Sequence, residues 1–192
     1  MPKLTFENLP LEKRQAIEAT LREEFETHSL ADATVKNIVT ALDISRGSFY
    51  QYFESLTESY FYLLDKTTAE THTLFLKILK DSHHQLAPTL DLYGVALADE
   101  IYDHQNFALY KNRILHWNAQ LEKEWQAYKK QAASPHDVSP KDKEKMYFIK
   151  AIVHTLIQRI FLENWDKETF LEKYQQQVDW IKNGINDSPL HL

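Results

Sequence analysis

Residues 34–53 read TVKNIVTALDISRGSFYQYF, and the punctuation of this stretch decides the fold class. Thr34 stands where a helix N-cap is wanted. Val35, Ile38, Val39 and Leu42 follow at the three- and four-residue spacing of one helical face. Asp43 ends that helix, because aspartate tolerates the left-handed backbone of a tight turn. Ser45 is a second N-cap and opens a short helix running to about Phe53. Ile44, Phe49 and Phe53 give this helix a face to bury, with Arg46, Ser48, Tyr50, Gln51 and Tyr52 on the other side. Gly47 holds its second position, where propensity favours a better helix former; a missing side chain there lets a second molecule approach the backbone closely. Two short capped rods joined by a tight turn make a helix-turn-helix.

The flanking sequence has the same character. Upstream, Pro10 suits a helix start, Ile17, Leu21 and Phe25 recur every four residues, and Ser29 to Ala33 interrupts the pattern. Downstream, Ser55-Leu56-Thr57-Glu58 reads as a capping box before a long helix reaching about Lys80. Pro88 marks a helix from near Ala87 to about Tyr102, and an aromatic-rich helix is expected from Phe107 to about Ala133. Ser134 to Pro140 holds two prolines and reads as a linker. Two more helices follow, about Lys141 to Leu162 and Lys167 to Lys182, the second capped by Asp166 and ended near Gly184, with Ile185 closing its apolar spacing. The fold class is all-α. Three glycines in 192 residues agree with few tight turns and long helices.

Composition removes several function classes. The chain has no cysteine, which excludes disulfides, thiol catalysis and cysteine-based zinc sites. Met1 to Phe6 lacks the pattern of a signal peptide, and Ala151 to Leu162 is too short and too interrupted to span a bilayer; a soluble, cytoplasmic protein is expected, with no membrane partner. His83 and His84 are adjacent, about 100° apart if helical, and His72, His116 and His154 are isolated, so no metal site is expected. No nucleophile elbow, phosphate loop or paired-carboxylate constellation is present, which argues against an enzyme and names no cofactor.

Thr34-Val35, Ile38-Val39 and Ile44 to Phe53, followed by Glu54-Ser55, together resemble the DNA-binding signature of the TetR family of transcriptional regulators. The resemblance spans about residues 11–71 and is dense from Thr34 to Ser55. It implies a DNA-binding domain over 1–54 and a helical effector-binding and dimerisation domain over 55–192. By this resemblance Thr34 and Ser45 cap their helices and touch phosphate, Gly47 lies against the bases between Arg46 and Ser48, and Tyr50 donates to a phosphate. Gln51 and Tyr52 then read base edges or thymine methyls; an amide side chain suits adenine independently. Lys36 completes the expected DNA-binding set. The sequence departs from the family pattern at Ser29, Ala33, Asp43 and Ser59, and Leu56 stands where a phosphate-contacting lysine is common.

Charge sets a tension. The formal net charge is −6, and Met1 to Phe53 carries six basic against eight acidic residues. Between Thr34 and Phe53 only Lys36 and Arg46 oppose Asp43, so few phosphate charge contacts per subunit are expected.

The rest of the family expectation concerns the C-terminal region. Aromatics gathered between Tyr102 and Tyr128 are core by default; the resemblance implies a pocket for an apolar or aromatic small-molecule effector, with Tyr110, His116 and Trp117 as candidate lining. The last two helices are apolar over a wide arc, which asks for two packing partners. The resemblance implies a homodimer through them, with Ile152, Leu156, Ile160, Tyr174, Val178 and Ile181 as candidate interface residues. The expected function is a repressor that binds a near-palindromic DNA operator as a dimer and is released by its effector. The alternative is a helical sensor or interaction module of the same fold that binds no operator.

Overall fold

The computed structural model describes residues 1–132 and 140–184, excluding the side chains of 68–72, 104, 105, 131 and 132. Among the described residues there are ten helices and no strand. They are α1 (Leu4–Glu7), α2 (Leu11–Thr27), α3 (Val35–Ala41), α4 (Arg46–Tyr52), α5 (Leu56–Asp81), α6 (Leu86–Tyr102), α7 (His104–His116), α8 (Ala119–Ala132), α9 (Pro140–Leu162) and α10 (Lys167–Asn183).

Most boundaries follow local chemistry. The Thr34, Ser45 and Asp166 side chains accept from the backbone amides of Asn37, Ser48 and Thr169, each capping its helix. Asp43 has φ 50°, the left-handed turn residue between α3 and α4, and Gly184 ends α10 at φ 87°. The capping box is only half made. Ser55 Oγ accepts from the Glu58 amide at 3.0 Å, but the Glu58 carboxylate reaches past Ser55 to the Glu54 amide at 2.7 Å.

Three expectations change. In place of one helix from Phe107 to about Ala133 there are α7 and α8, because the chain leaves the helix at Trp117 and Asn118 and the Asn118 side chain caps a new one by accepting from the Gln120 and Leu121 amides. His83 and His84 sit in the turn after α5, both left-handed, and not on a helix. α1 is an element the sequence reading missed. The linker lies outside the described residues except for Pro140, which opens α9; Ile185 and the His72 side chain also lie outside them.

The chain divides into two compact units, Met1–Ala69 with Phe107–Pro135, and Glu70–Asn106 with His136–Leu192. This is a different division from the one expected at 54/55, and α5 and α7 each contribute residues to both units. The core of the first unit joins α2, α3 and α4 through Ile17, Leu21, Phe25, Ile38, Phe49 and Phe53, continuing into Tyr60, Phe61 and Trp125. Asn112 of α7 donates to the carbonyls of Phe25 and Glu26 at 3.0 and 2.8 Å, tying off the end of α2. In the second unit α10 packs chiefly on α6. That seam is held by Tyr174 donating to the Leu90 carbonyl at 2.9 Å and by Lys182 on Asp91 at 2.7 Å. No helix among the described residues is long and apolar enough to cross a membrane.

Candidate nucleic-acid interface

The site is built around α4, only seven residues long, so its pose comes from its surroundings and not from helix propensity. Phe49 and Phe53, 1% and 0% exposed, anchor one face in the core. On α3, the buried Glu24 carboxylate of α2 accepts from the Thr34 amide at 2.8 Å and from Asn37 Nδ2 at 3.0 Å. A buried acid satisfied by two donors fixes the start of α3 on α2. Sequence reading missed Glu24, and no local signal marks it, since it sits in a run of surface glutamates.

The outward face presents Arg46, Gly47, Tyr50 and Gln51, all exposed, with Thr34, Lys36 and Ser45 exposed nearby. The Arg46 guanidinium lies 5.8 Å from the Tyr50 ring centroid, with Nη2 donating to the Tyr50 hydroxyl at 3.5 Å. That contact uses the hydroxyl as an acceptor and leaves its proton to be donated outward. Ser48 is half-buried, its hydroxyl 2.9 Å from Ser45 Oγ. At Gly47 an added Cβ would meet nothing closer than Ser45 Oγ at 3.6 Å. The fold therefore has no need of glycine here.

One expectation is corrected. Tyr52 is not on the reading face: it is 7% exposed, with its ring edge against Phe6, so it serves the core of the unit. Leu56 packs partly buried against the same core, which accounts for an apolar residue there.

The short first helix was also missed. It lies against α4, and Lys3 and Thr5 donate to carbonyls in the last turn of α4. Leu4 and Phe6 ahead of Pro10 are the one hint the sequence offers.

A family model described as bacterial regulatory proteins, tetR family, matches residues 17–58, and one described as tetracyclin repressor, C-terminal domain, matches residues 86–184, more than half of the chain. The chain belongs to the TetR family. It is a DNA-binding transcriptional regulator, of a family of regulators and not of enzymes, and the helix-turn-helix expected from the sequence is that family's N-terminal domain. Among solved structures, a TetR family transcriptional regulator from Chloroflexus aurantiacus J-10-FL is similar over 96% of this chain and 98% of its own, at 20% identity and a TM-score of 0.51, a likeness of fold. No curated protein matches.

In the TetR C-terminal region the expected lining residues sit in the first unit. Trp117 packs near Phe61 and Trp125 and donates to Glu122 at 2.8 Å, Tyr110 is buried, and His116 is exposed. None of the three lines the groove found in the second unit. That groove, of about 170 Å³, is lined by Phe75, Tyr93, Met146, Tyr147, Ile149, Lys150, Val153 and His154. Of the expected dimer residues, Leu156, Ile160, Tyr174 and Val178 are at most 2% exposed within one chain and belong to its own core; Ile152 and Ile181 are half-buried. The outward face of α9 instead carries Phe148 and Leu162, 57% and 59% exposed, with Ile152 between them.

Proposed function

We propose that this TetR regulator is a homodimeric repressor whose two α4 helices enter successive major grooves of a near-palindromic operator. The observation that supports this best is the exposed Arg46, Gly47, Tyr50 and Gln51 face, carried on a helix fixed by its own core and caps. Dimerisation through α9 follows from its second apolar stripe, Phe148, Ile152 and Leu162, spaced for one helix face. Tyr50→Phe and Arg46→Ala should each weaken binding to the gene's own upstream DNA, read by fluorescence anisotropy. Wild-type affinity in both variants would remove α4 from the reading role.

The groove of the second unit is the proposed effector seat. Phe75 and Tyr93 meet edge to face at 5.0 Å, and the lining holds no carboxylate but includes Lys150 and His154. An apolar cavity of roughly 150 Å³ takes up benzene, so the effector is a single ring or a short chain with an acidic pole. Effector binding releases DNA by favouring a dimer shape with the wrong α4 spacing, acting through α5 and α7, the helices shared by both units. Titration with benzoate, against benzyl alcohol as the neutral control, reads this directly. Uptake unchanged by Val153→Trp would place the effector elsewhere.

The acidic balance favours a second reading, a sensor of this fold without operator control. A genome-wide occupancy map without discrete peaks would select it.

A further inference from the structure

The last four carbonyls of any α-helix lack partners inside the helix, and in a two-turn helix these are more than half of all its carbonyls. In α4 each of the four has a donor. The Phe49 carbonyl accepts from the Phe53 amide at 3.0 Å, the Tyr50 carbonyl from Lys3 Nζ at 2.9 Å, the Gln51 carbonyl from Thr5 Oγ1, and the Tyr52 carbonyl from the Lys3 amide at 2.9 Å. Three of these four donors come from the chain's first five residues. The segment that carries them is itself anchored, since Phe6 is 1% exposed and its ring meets Tyr52, Phe53 and Tyr62 at 6.1, 4.9 and 5.2 Å. A lysine ammonium at a helix C-terminus is also favoured by the helix dipole.

The tied carbonyls belong to the same turn as the exposed Tyr50 and Gln51 side chains. A helix end without partners frays, and fraying here would swing both side chains away from a groove. We infer that Lys3 and Thr5 are positioning residues for sequence reading, holding the last turn of α4 so that Gln51 meets the bases in one pose. The inference rests on the operator-reading role proposed above. It separates two quantities: loss of the tie lowers affinity for the correct sequence, whereas affinity for arbitrary DNA, set by phosphate contacts, stays.

The test uses the full chain and two DNA probes, the duplex that wild type selects from a random pool and a scrambled duplex of equal length and composition. Thr5→Val keeps shape and charge but removes the donor; Thr5→Ser restores it; Lys3→Met removes the ammonium and keeps the amide. The expected result for Thr5→Val is a loss of about 5-fold in the selected-to-scrambled affinity ratio, the scale of one hydrogen bond, with an unchanged salt slope and rescue by Thr5→Ser. The Tyr52 and Phe53 amides should exchange faster in free Thr5→Val protein. A wild-type ratio in Thr5→Val overturns the inference, whatever the exchange rates do. So does a Lys3→Met effect confined to a shallower salt slope with the ratio intact, the mark of a direct phosphate contact. If wild type selects no sequence, the operator reading fails and takes this inference with it; if wild type selects and Thr5→Val matches it, only the inference fails.

Discussion

At the scale of single residues, Gly47 tests whether DNA approaches the backbone of α4. Its added Cβ would lie 3.6 Å from Ser45 Oγ, an ordinary contact, and alanine is the better helix former by roughly 1 kcal/mol. Gly47→Ala should therefore leave thermal stability equal or slightly higher while weakening operator binding. A variant that unfolds at the same temperature and binds as wild type does would show that DNA does not approach this backbone. Glu18 supplies a second residue-scale prediction. Burial works to raise its pKa, but hydrogen bonds from Lys66 and Tyr62, with the charges of Lys66 and Arg14, outweigh burial and hold it below the ordinary value of 4.5. A carboxylate depressed in the folded state stabilises above its unfolded pKa and loses that contribution as pH falls through the folded one. In urea unfolding, Glu18→Gln should thus be less stable than wild type near neutrality, and the gap should close below about pH 4.5. A gap that persists unchanged in acid would assign the effect to packing instead.

At the scale of elements, the seam between α6 and α10 depends on a missing side chain. A Cβ on Gly94 would come within 2.5 Å of the Tyr174 ring, and that ring is 2% exposed with its hydroxyl held by the Leu90 carbonyl. Tyr174 is not the free end of a flexible chain, so it cannot yield. Gly94→Ala should destabilise the second unit by about 1–3 kcal/mol, measured by chemical denaturation. Restored stability in Gly94→Ala/Tyr174→Phe, which frees the ring from its hydrogen bond, would trace the loss to this contact. The break between α7 and α8 carries a lesson about elements too. Aromatic spacing from Phe107 onward suits one long helix, and Asn118 reads as an ordinary polar residue. Only the three-dimensional fold, with Trp117 and Trp125 both near Phe61, requires the chain to turn there.

For the whole molecule, charge governs how binding responds to salt. Lys36 and Arg46 are exposed on the reading side, whereas the Lys3 ammonium is engaged by the Tyr50 carbonyl. The proposed dimer should then neutralise about four phosphates, giving a slope of log affinity against log salt of about −4. A slope of −8 or steeper would mean that basic residues outside this set reach the DNA. In the proposed dimer the second half-site is engaged at high effective concentration, which would let such a weakly basic reader bind tightly.

The helical class, the caps at Thr34, Ser45 and Asp166, and the left-handed turn at Asp43 were all legible in the sequence, because each depends on neighbours within four residues and on chemistry that the residue carries with it. The exposed Arg46, Gly47, Tyr50 and Gln51 face was legible for the same reason. The orientation of Tyr52 was not: alternation along a two-turn helix leaves an edge residue undecided until Phe6 arrives from elsewhere in the chain. Nor were Glu24 under α3, the ties from Lys3 and Thr5, or the groove on Phe75 and Tyr93, since each joins groups tens of residues apart. For α9, periodicity showed two apolar stripes but not which one faces inward. That choice belongs to packing against distant helices, which the tertiary structure alone decides.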